Sequence, residues 1–320
     1  MVSSLAIGNI QAGQSADFAI ATPCFQGEAF LLETLRSVVR QRGDFTIDYA
    51  VADGGSQDQS PALLTAFAED LRTGKEAIGC RGLRFHWLSE KDRGMYDALG
   101  KAFALTKGRI MAYINCDDYY LPAAFAYIHD ALSMNADVHW IKGFADIIDS
   151  AGILSEGYCY LYRRDWLAAG IYGYYSYFVP QETVFWRAEL WNTLELERFR
   201  ALRVVGDYVM WRNFAQKAAL YSLNRPVAVF RKRPGQASGD IEAYYREMET
   251  LYGNLRFRKR LAPAFRLFHR VLTALNAQAS IAPFLPQAYP YLDETFQPAR
   301  SSRHYLDAPA RAALSEIQKS

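Results

Sequence analysis

The chain has 320 residues, 51% of them apolar, enough for one large domain or two modest ones around a real core. A formal net charge of only +2 argues against a nucleic-acid binder that draws its affinity from phosphate neutralisation. Cys24, Cys80, Cys116 and Cys159 stand far apart, with no C-x-x-C pair and no histidine at zinc spacing, which argues against a disulfide scaffold or a structural zinc site and fits a reducing cytoplasm.

The N-terminal stretch MVSSLAIGNIQAGQSADF lacks the charged and apolar regions of a signal peptide. No window approaches ~18 uninterrupted apolar residues, so no membrane span is expected and the chain reads as soluble or peripheral. From Asp17 onward, short apolar runs alternate with helical periodicity. DFAIAT (17–22) reads as a buried strand, and Leu31, Leu32, Leu35, Val38 and Val39 place an amphipathic helix over 27–41. IDYAVADGG (47–55) is a second strand, followed by a helix through Leu63, Leu64, Phe67 and Leu71 with Pro61 in its first turn. LRFHWLSE (83–90) is a third strand, 95–107 a third helix and RIMAYIN (109–115) a fourth strand.

This alternation predicts a largely parallel sheet with helices on both faces, and such sheets bind ligands beyond the carboxyl ends of their strands. Those ends carry Thr22-Pro23, Asp53-Gly54-Gly55, Ser89-Glu90 and Asn115-Cys116-Asp117-Asp118. Further along, 138–149 suggests a strand and its turn, 172–186 a tyrosine-rich loop entering a strand, 206–218 a helix opened by Asp207, and 226–231 another strand. From about 240 the chain reads as helical and then proline-broken. The expected divisions are a tail over 1–16, a catalytic domain over 17–238 and a helical or irregular extension over 239–320.

Adjacent carboxylates at a strand end suit a hard cation, Mg²⁺ or Mn²⁺, which binds through one or two carboxylates plus a substrate's phosphates. Taken alone, an Asp117-Asp118 pair is more often a solvated turn than a metal site. Asp53, followed by Gly54, Gly55 and Ser56, can accept from a base or a ribose hydroxyl, or simply make an Asp-Gly turn. TPCFQGE (22–28) joins strand to helix, where backbone N–H groups can face phosphate. The many tyrosines between 113 and 177 suit ring stacking on a polar ligand and equally an aromatic core.

Five blocks occur in order: TPCFQGEAFLLETLRSVVRQ, YAVADGGSQDQS, SEKDRGMYDALGKAFALTKGRIMAYINCDD, PQETVFWRAELW and GDYVMWRNFA. Together, over roughly 17–238, they resemble the family 2 glycosyltransferases, which are nucleotide-sugar enzymes of the Rossmann-like GT-A fold, especially bacterial polysaccharide-assembly members. The resemblance implies an inverting, metal-assisted transfer from a nucleoside-diphosphate sugar, UDP by default, to a saccharide or lipid-linked acceptor. It assigns Thr22, Pro23, Phe25 and Glu28 to the diphosphate and base wall, and Asp53, with Gly54 and Ser56, to the base or ribose. Asp92, Gly94, Tyr96, Asp97 and Lys101 become donor-site candidates.

The family's D-x-D motif falls on Asn115-Cys116-Asp117, which makes Asp117 the main metal ligand with Asp118 beside it. Asn115 is then left as a ribose or water contact. Asp207 takes the place of the catalytic base, with Glu182 the second candidate, although an aspartate opening a helix can be just an N-cap. Gln181 is assigned to hydrogen bonding with donor or acceptor, Trp211 and Arg212 to the site's floor, and Arg231 or Arg233 to the pyrophosphate. Over 255–275, Leu261, Phe265, Phe268, Leu272 and Leu275 share one face, a pattern that suits either packing on the catalytic domain or contact with anionic lipid. A sugar-nucleotide-forming nucleotidyltransferase and a non-catalytic nucleotide-sugar-binding module are the competing readings.

Overall fold

The computed structural model describes residues 2–11, 13–157, 159–173, 178–234, 236, 240–253, 263–268, 271, 290–292 and 295–296. Its first strand, β1 (Ser3–Gly8), lies inside the stretch expected to be a tail. There follow β2 (Ala16–Cys24), α1 (Leu31–Val39), β3 (Gly43–Asp53), α2 (Ser60–Thr73), β4 (Cys80–Ser89), α3 (Met95–Leu105) and β5 (Gly108–Tyr113). Every residue of β2 is buried, as a central parallel strand covered on both faces requires. In α1 the buried set is Leu31, Thr34, Leu35, Val38 and Val39, the face that apolar spacing predicts.

The second half holds β6 (Tyr119–Tyr120), α4 (Ala124–Met134), β7 (Trp140–Ile148), β8 (Leu154–Ser155), α5 (Arg164–Ala168), a 3₁₀ turn over Gln181–Thr183 and β9 (Val184–Arg187). After these come α6 (Ala188–Trp191), α7 (Leu196–Arg200), α8 (Gly206–Lys217), β10 (Leu220–Arg231), α9 (Ile241–Tyr252) and β11 (Tyr291–Leu292). The sheet runs in the order β1-β4-β3-β2-β5-β9-β7-β10-β11. The pairs β4–β3, β3–β2 and β2–β5 are parallel, whereas β9 runs antiparallel between β5 and β7, and β1 closes the far edge antiparallel to β4. This is the mixed, mostly parallel α/β sheet of the GT-A fold.

Sheet growth turns at β2, which has β3 on one side and β5 on the other, and at such a turn the carboxyl ends leave a crevice. Register sets what faces that crevice: Cys24 lies opposite Asp53, and Asp53 opposite Ser89.

Among the described residues, most aromatic side chains belong to the core. Phe18 stacks on Phe125 at 4.7 Å, and Trp140, Trp186, Trp211 and Phe214 make a second ring cluster. Tyr113, Tyr120 and Tyr162 are fully enclosed, so these tyrosines are not the ligand-stacking rings that their place in the sequence allowed. Among the described residues, no helix is long and apolar enough to cross a membrane. Of the amphipathic stretch 255–275, only 263–268 and 271 are described. Within it, Phe265 and Phe268 lie 5.0 and 5.9 Å from the Trp166 ring, which is the packing arrangement.

Asp97, expected near the donor, instead ties α3 to α7. Arg93 meets it at 3.1 Å and Arg200 at 2.8 Å. Burial opposes ionisation, but these guanidinium groups outweigh it and hold the carboxyl at about 2. A depressed carboxyl stabilises the fold fully above its unfolded pKa of ~3.9, and that contribution fades as pH falls through about 2. Asp97→Asn is therefore expected to cost about 2 kcal/mol near neutral pH, with the deficit shrinking below pH ~4. Urea denaturation of both proteins across that range checks it, and a pH-independent deficit would rule the ion-pair account out.

Candidate active site

The loops at the carboxyl edge build the first part of the site. Asp53 is buried and saturated: it accepts from the N–H groups of Gly55 and Ser56 and from the hydroxyls of Ser56 and Ser89, each hydroxyl at 2.5 Å. Its task in this state is to fold the 54–56 turn onto the end of β4. Asp92 lies against that turn so closely that a Cβ on Gly54 would stand 2.6 Å from its carboxylate and would force that side chain to shift. Burial raises the Asp92 carboxyl, while the Gly94 N–H donates to it at 2.8 Å. Lys101 is held by Glu90 at 2.8 Å and by the Lys91 carbonyl.

The 22–28 block departs from expectation. Thr22 and Pro23 are enclosed within β2, and Thr22 spends its hydroxyl on Tyr49 at 2.9 Å. The N–H groups of Gln26, Gly27 and Glu28 donate to Ser56, Ser60 and Asp58, so they are not an open phosphate cradle. Phe25, 62% exposed, is the residue of this block free to form a wall, and the Glu28 carboxylate accepts from Gln59 N–H.

Beyond β5 the acidic motif splits in function. Asp118 is buried as a joint: its carboxylate accepts from Arg231 N–H at 2.8 Å and its carbonyl from Thr34. Burial, with Glu182 and Asp117 adding repulsion, pushes its carboxyl well above the usual range. Asp117 faces the crevice, and its Oδ2 receives Arg233 at 2.7 Å and Gln236 at 3.2 Å. Arg231 stands at the motif too, its Nε donating to the Asp117 carbonyl at 3.0 Å, but its guanidinium is paired with Glu33 at 2.6 Å and lies over Phe30, whereas Arg233 reaches the Asp117 carboxylate itself.

A hard cation needs oxygen donors here. Asn115 Oδ1 and Asp118 Oδ2 are buried without a partner on either side of Asp117, so the donor set fits such an ion, provided Arg233 shares or yields Asp117.

The second part of the site is a small aromatic cavity of about 20 Å³ lined by Leu167, Tyr172, Gly173, Phe178, Val179, Asp207, Tyr208, Trp211, Arg212 and Tyr244. Asp207 lies in the first turn of α8 but does not cap it, because the N-cap is Val205 and no side chain closes that end. Instead Glu247, reaching from α9, accepts from the N–H groups of Arg203, Val204 and Val205. Asp207 Oδ1 accepts from Tyr208 N–H at 2.7 Å, and Tyr96 approaches the same oxygen at 3.5 Å. Tyr96 is thus a buttress of Asp207.

Burial raises the Asp207 carboxyl to about 6. Glu182 is only 4% exposed; burial, with Asp207 nearby, lifts it to about 7, although buried Lys142 pulls the other way. Gln181 leaves both amide atoms unpartnered, as do Trp211 Nε1 and Tyr244 Oη. Trp211 also stacks on Trp140 at 5.8 Å, and Arg212 covers the Tyr252 ring at 4.4 Å. Tyr172, Tyr208 and Tyr244 were not picked out by sequence reasoning as site residues; the tyrosine-rich 172–177 stretch pointed at the first, and nothing in α9 marked the last.

With this geometry in place, the comparisons are informative. Residues 19–145 match the glycosyl transferase family 2 profile. Two Mycobacterium tuberculosis proteins, the uncharacterized glycosyltransferases MT1564 and Rv1514c, are each 30% identical over 127 residues. That alignment spans 39% of this chain and 44%, less than half, of each relative. Among solved structures, S. aureus TarS 1–349 in complex with UDP-GlcNAc superposes with a TM-score of 0.52 at 13% identity, over 70% of this chain and 61% of that one. The same protein in complex with UDP gives 0.51 at 12%, over 73% and 63%. At such identity the likeness establishes the shared fold.

Because Arg233 already neutralises Asp117, removing it is expected to free that carboxylate. Arg233→Gln should tighten Mn²⁺ binding to the donor-free protein roughly two- to fivefold, the worth of an exposed ion pair. Asp117→Asn should abolish that binding. Titration calorimetry reads both, and equal Mn²⁺ affinity in all three proteins would refute a cation site at Asp117.

Proposed function

We infer that the chain is an inverting glycosyltransferase that moves a sugar from a nucleoside-diphosphate sugar to a hydroxyl of a saccharide or lipid-linked saccharide. UDP is the default nucleotide, and surface polysaccharide or glycoconjugate assembly is the proposed setting. The observation that carries this reading is Asp207: a carboxylate that does not cap its helix, raised to about 6 and set in the wall of an aromatic pocket. A base with that pKa is mostly ionised near neutrality and well matched to take a proton from an alcohol.

Glu182 has the more nearly neutral carboxyl but is closed off from the pocket, so the base is assigned to Asp207. The flat rings of Tyr172, Tyr208, Tyr244 and Trp211 suit a sugar's apolar face, and the unpartnered Trp211 Nε1 and Tyr244 Oη suit its hydroxyls.

The reaction follows from these positions. The acceptor oxygen bonds to the anomeric carbon while the bond from that carbon to the diphosphate oxygen breaks, which inverts the centre. The acceptor's proton goes to Asp207, and the electron pair leaves with the nucleotide. Asp117, with Asn115 and Asp118 around it, would hold Mg²⁺ or Mn²⁺, whose chemistry is to neutralise charge on the diphosphate. Arg233 adds a guanidinium at the same place, and Phe25 offers a wall for the base.

A nucleotidyltransferase would want open backbone donors after β2, and those of Gln26, Gly27 and Glu28 are already engaged. A non-catalytic module would make Asp207 a helix cap, and it is not one. Contact of 255–275 with anionic lipid belongs to the proposal through Leu267 and Val271, which are 66% and 47% exposed.

Asp207→Asn should keep donor binding by calorimetry and lower transfer by about 10²–10⁴-fold. In the parent protein kcat/KM should fall as pH drops through about 6, because only the ionised carboxylate accepts the proton, and this limb should vanish in the variant. Undiminished transfer by the variant would remove Asp207 as the base.

A further inference from the structure

Two thiols meet beneath the donor crevice, and the proposed transfer uses neither. β2 and β5 run parallel with Ala21 opposite Tyr113, and three residues further on in both chains come Cys24 and Cys116. Both are buried, 3% and 6% exposed. The two thiols perturb one another electrostatically, and the Phe25 N–H lies towards the Cys116 sulfur. Gly27 reports their convergence independently: a Cβ placed there would stand 2.9 Å from each sulfur, so one small space holds both. Neighbouring strands lie about 4.8 Å apart, inside the roughly 4.4–6.8 Å Cα separation that a disulfide spans. Cys80 and Cys159 are engaged elsewhere, with the Gly82 and Leu223 carbonyls, and serve as internal controls.

We propose that Cys24 and Cys116 form a reversible disulfide that disables the nucleotide-sugar pocket, with a peroxide as the oxidant. One sulfur attacks a peroxide oxygen and becomes a sulfenic acid as the first water leaves. The second sulfur displaces the hydroxyl, forming the S–S bond as a second water departs with the remaining thiol proton. Two electrons pass from the sulfurs to the peroxide, and a dithiol returns them.

The consequence for binding comes from the neighbours. Cys116 stands between Asn115 and Asp117, and Cys24 precedes Phe25, so drawing the sulfurs together displaces the acidic motif and the exposed ring at once. It also breaks the Phe25 N–H contact to sulfur. This consequence rests on the donor-pocket reading above; formation of the bridge does not.

The test uses the full reduced chain treated with hydrogen peroxide. Intact mass should show the loss of two hydrogens, and non-reducing peptide maps should join the Cys24 and Cys116 peptides while Cys80 and Cys159 remain alkylatable. UDP affinity in the presence of Mn²⁺ should fall at least about tenfold, or 1.4 kcal/mol, and return with dithiothreitol. Cys24→Ser and Cys116→Ser should each lose both the bridge and the peroxide response. If either misfolds, the oxidised and re-reduced parent decides alone. Free Cys24 and Cys116 after treatment overturn the proposal, as does a bridge that leaves UDP affinity unchanged. Should the reduced protein bind neither UDP nor GDP, the donor reading falls, and the switch proposal with it, while the peptide map still decides whether the bridge forms.

Discussion

The register of β2 against β3 and β5 is the constraint on which the site depends. Three parallel strands buried on both faces can slide only by exchanging which apolar side chains meet which helix, so the register is strongly specified. Once it is fixed, Cys24, Asp53 and Ser89 come abreast and the acidic turn after β5 falls beside them. Asp53 converts that alignment into a rigid edge by accepting four hydrogen bonds from the turn after β3 and the end of β4. A carboxylate so fully satisfied is a fixed scaffold for neighbouring groups, since moving it would strand several buried donors.

Charge is handled differently on the two sides of the crevice. Beside the acidic motif the carboxylates at the surface are paired, Asp117 with Arg233 and Glu33 with Arg231, while Asp118 behind them is buried. On the aromatic side the acids are desolvated, and burial lifts Asp207 to about 6 and Glu182 to about 7. The contrast has a chemical logic. A surface that receives phosphates must keep cations within reach without collapsing onto its own acids, whereas a base works best where water is scarce and its proton affinity is raised. Lys142, buried near Glu182 with its ammonium on the Gly143 carbonyl, keeps the desolvated side from carrying unopposed negative charge.

The strands and helices up to about residue 115 were legible in the sequence because buried parallel strands and amphipathic helices carry strong periodic signals. The role proposed for Asp207 came only with the resemblance; the structure adds that the segment entering its helix is held by Glu247, a residue forty positions away in the chain that no local pattern connects to it. The same limit hides partners. Thr22, Asp97 and Arg231 are each engaged by a residue distant in sequence: Tyr49, Arg200 and Glu33. The strand at 3–8 was missed because an edge strand of six residues, half exposed, resembles a tail until β4 is there to pair with it. The Cys24–Cys116 contact was hidden for a like reason, since wide spacing in sequence says nothing about register.

The family match stops at residue 145, ahead of Glu182, Asp207 and the pocket. That boundary follows the physics of the two halves. A diphosphate and a base make the same demands whatever sugar they carry: a strand edge, a cation site and a flat wall. An acceptor makes demands particular to itself, and beyond the matched segment the cavity is built of rings and unpartnered polar atoms from α5, α8, α9 and Tyr172, Gly173, Phe178 and Val179. The two halves meet where Tyr96, from the matched segment, supports Asp207 outside it. Through those two hydrogen bonds the matched segment supports the carboxylate proposed to take a proton from an incoming hydroxyl.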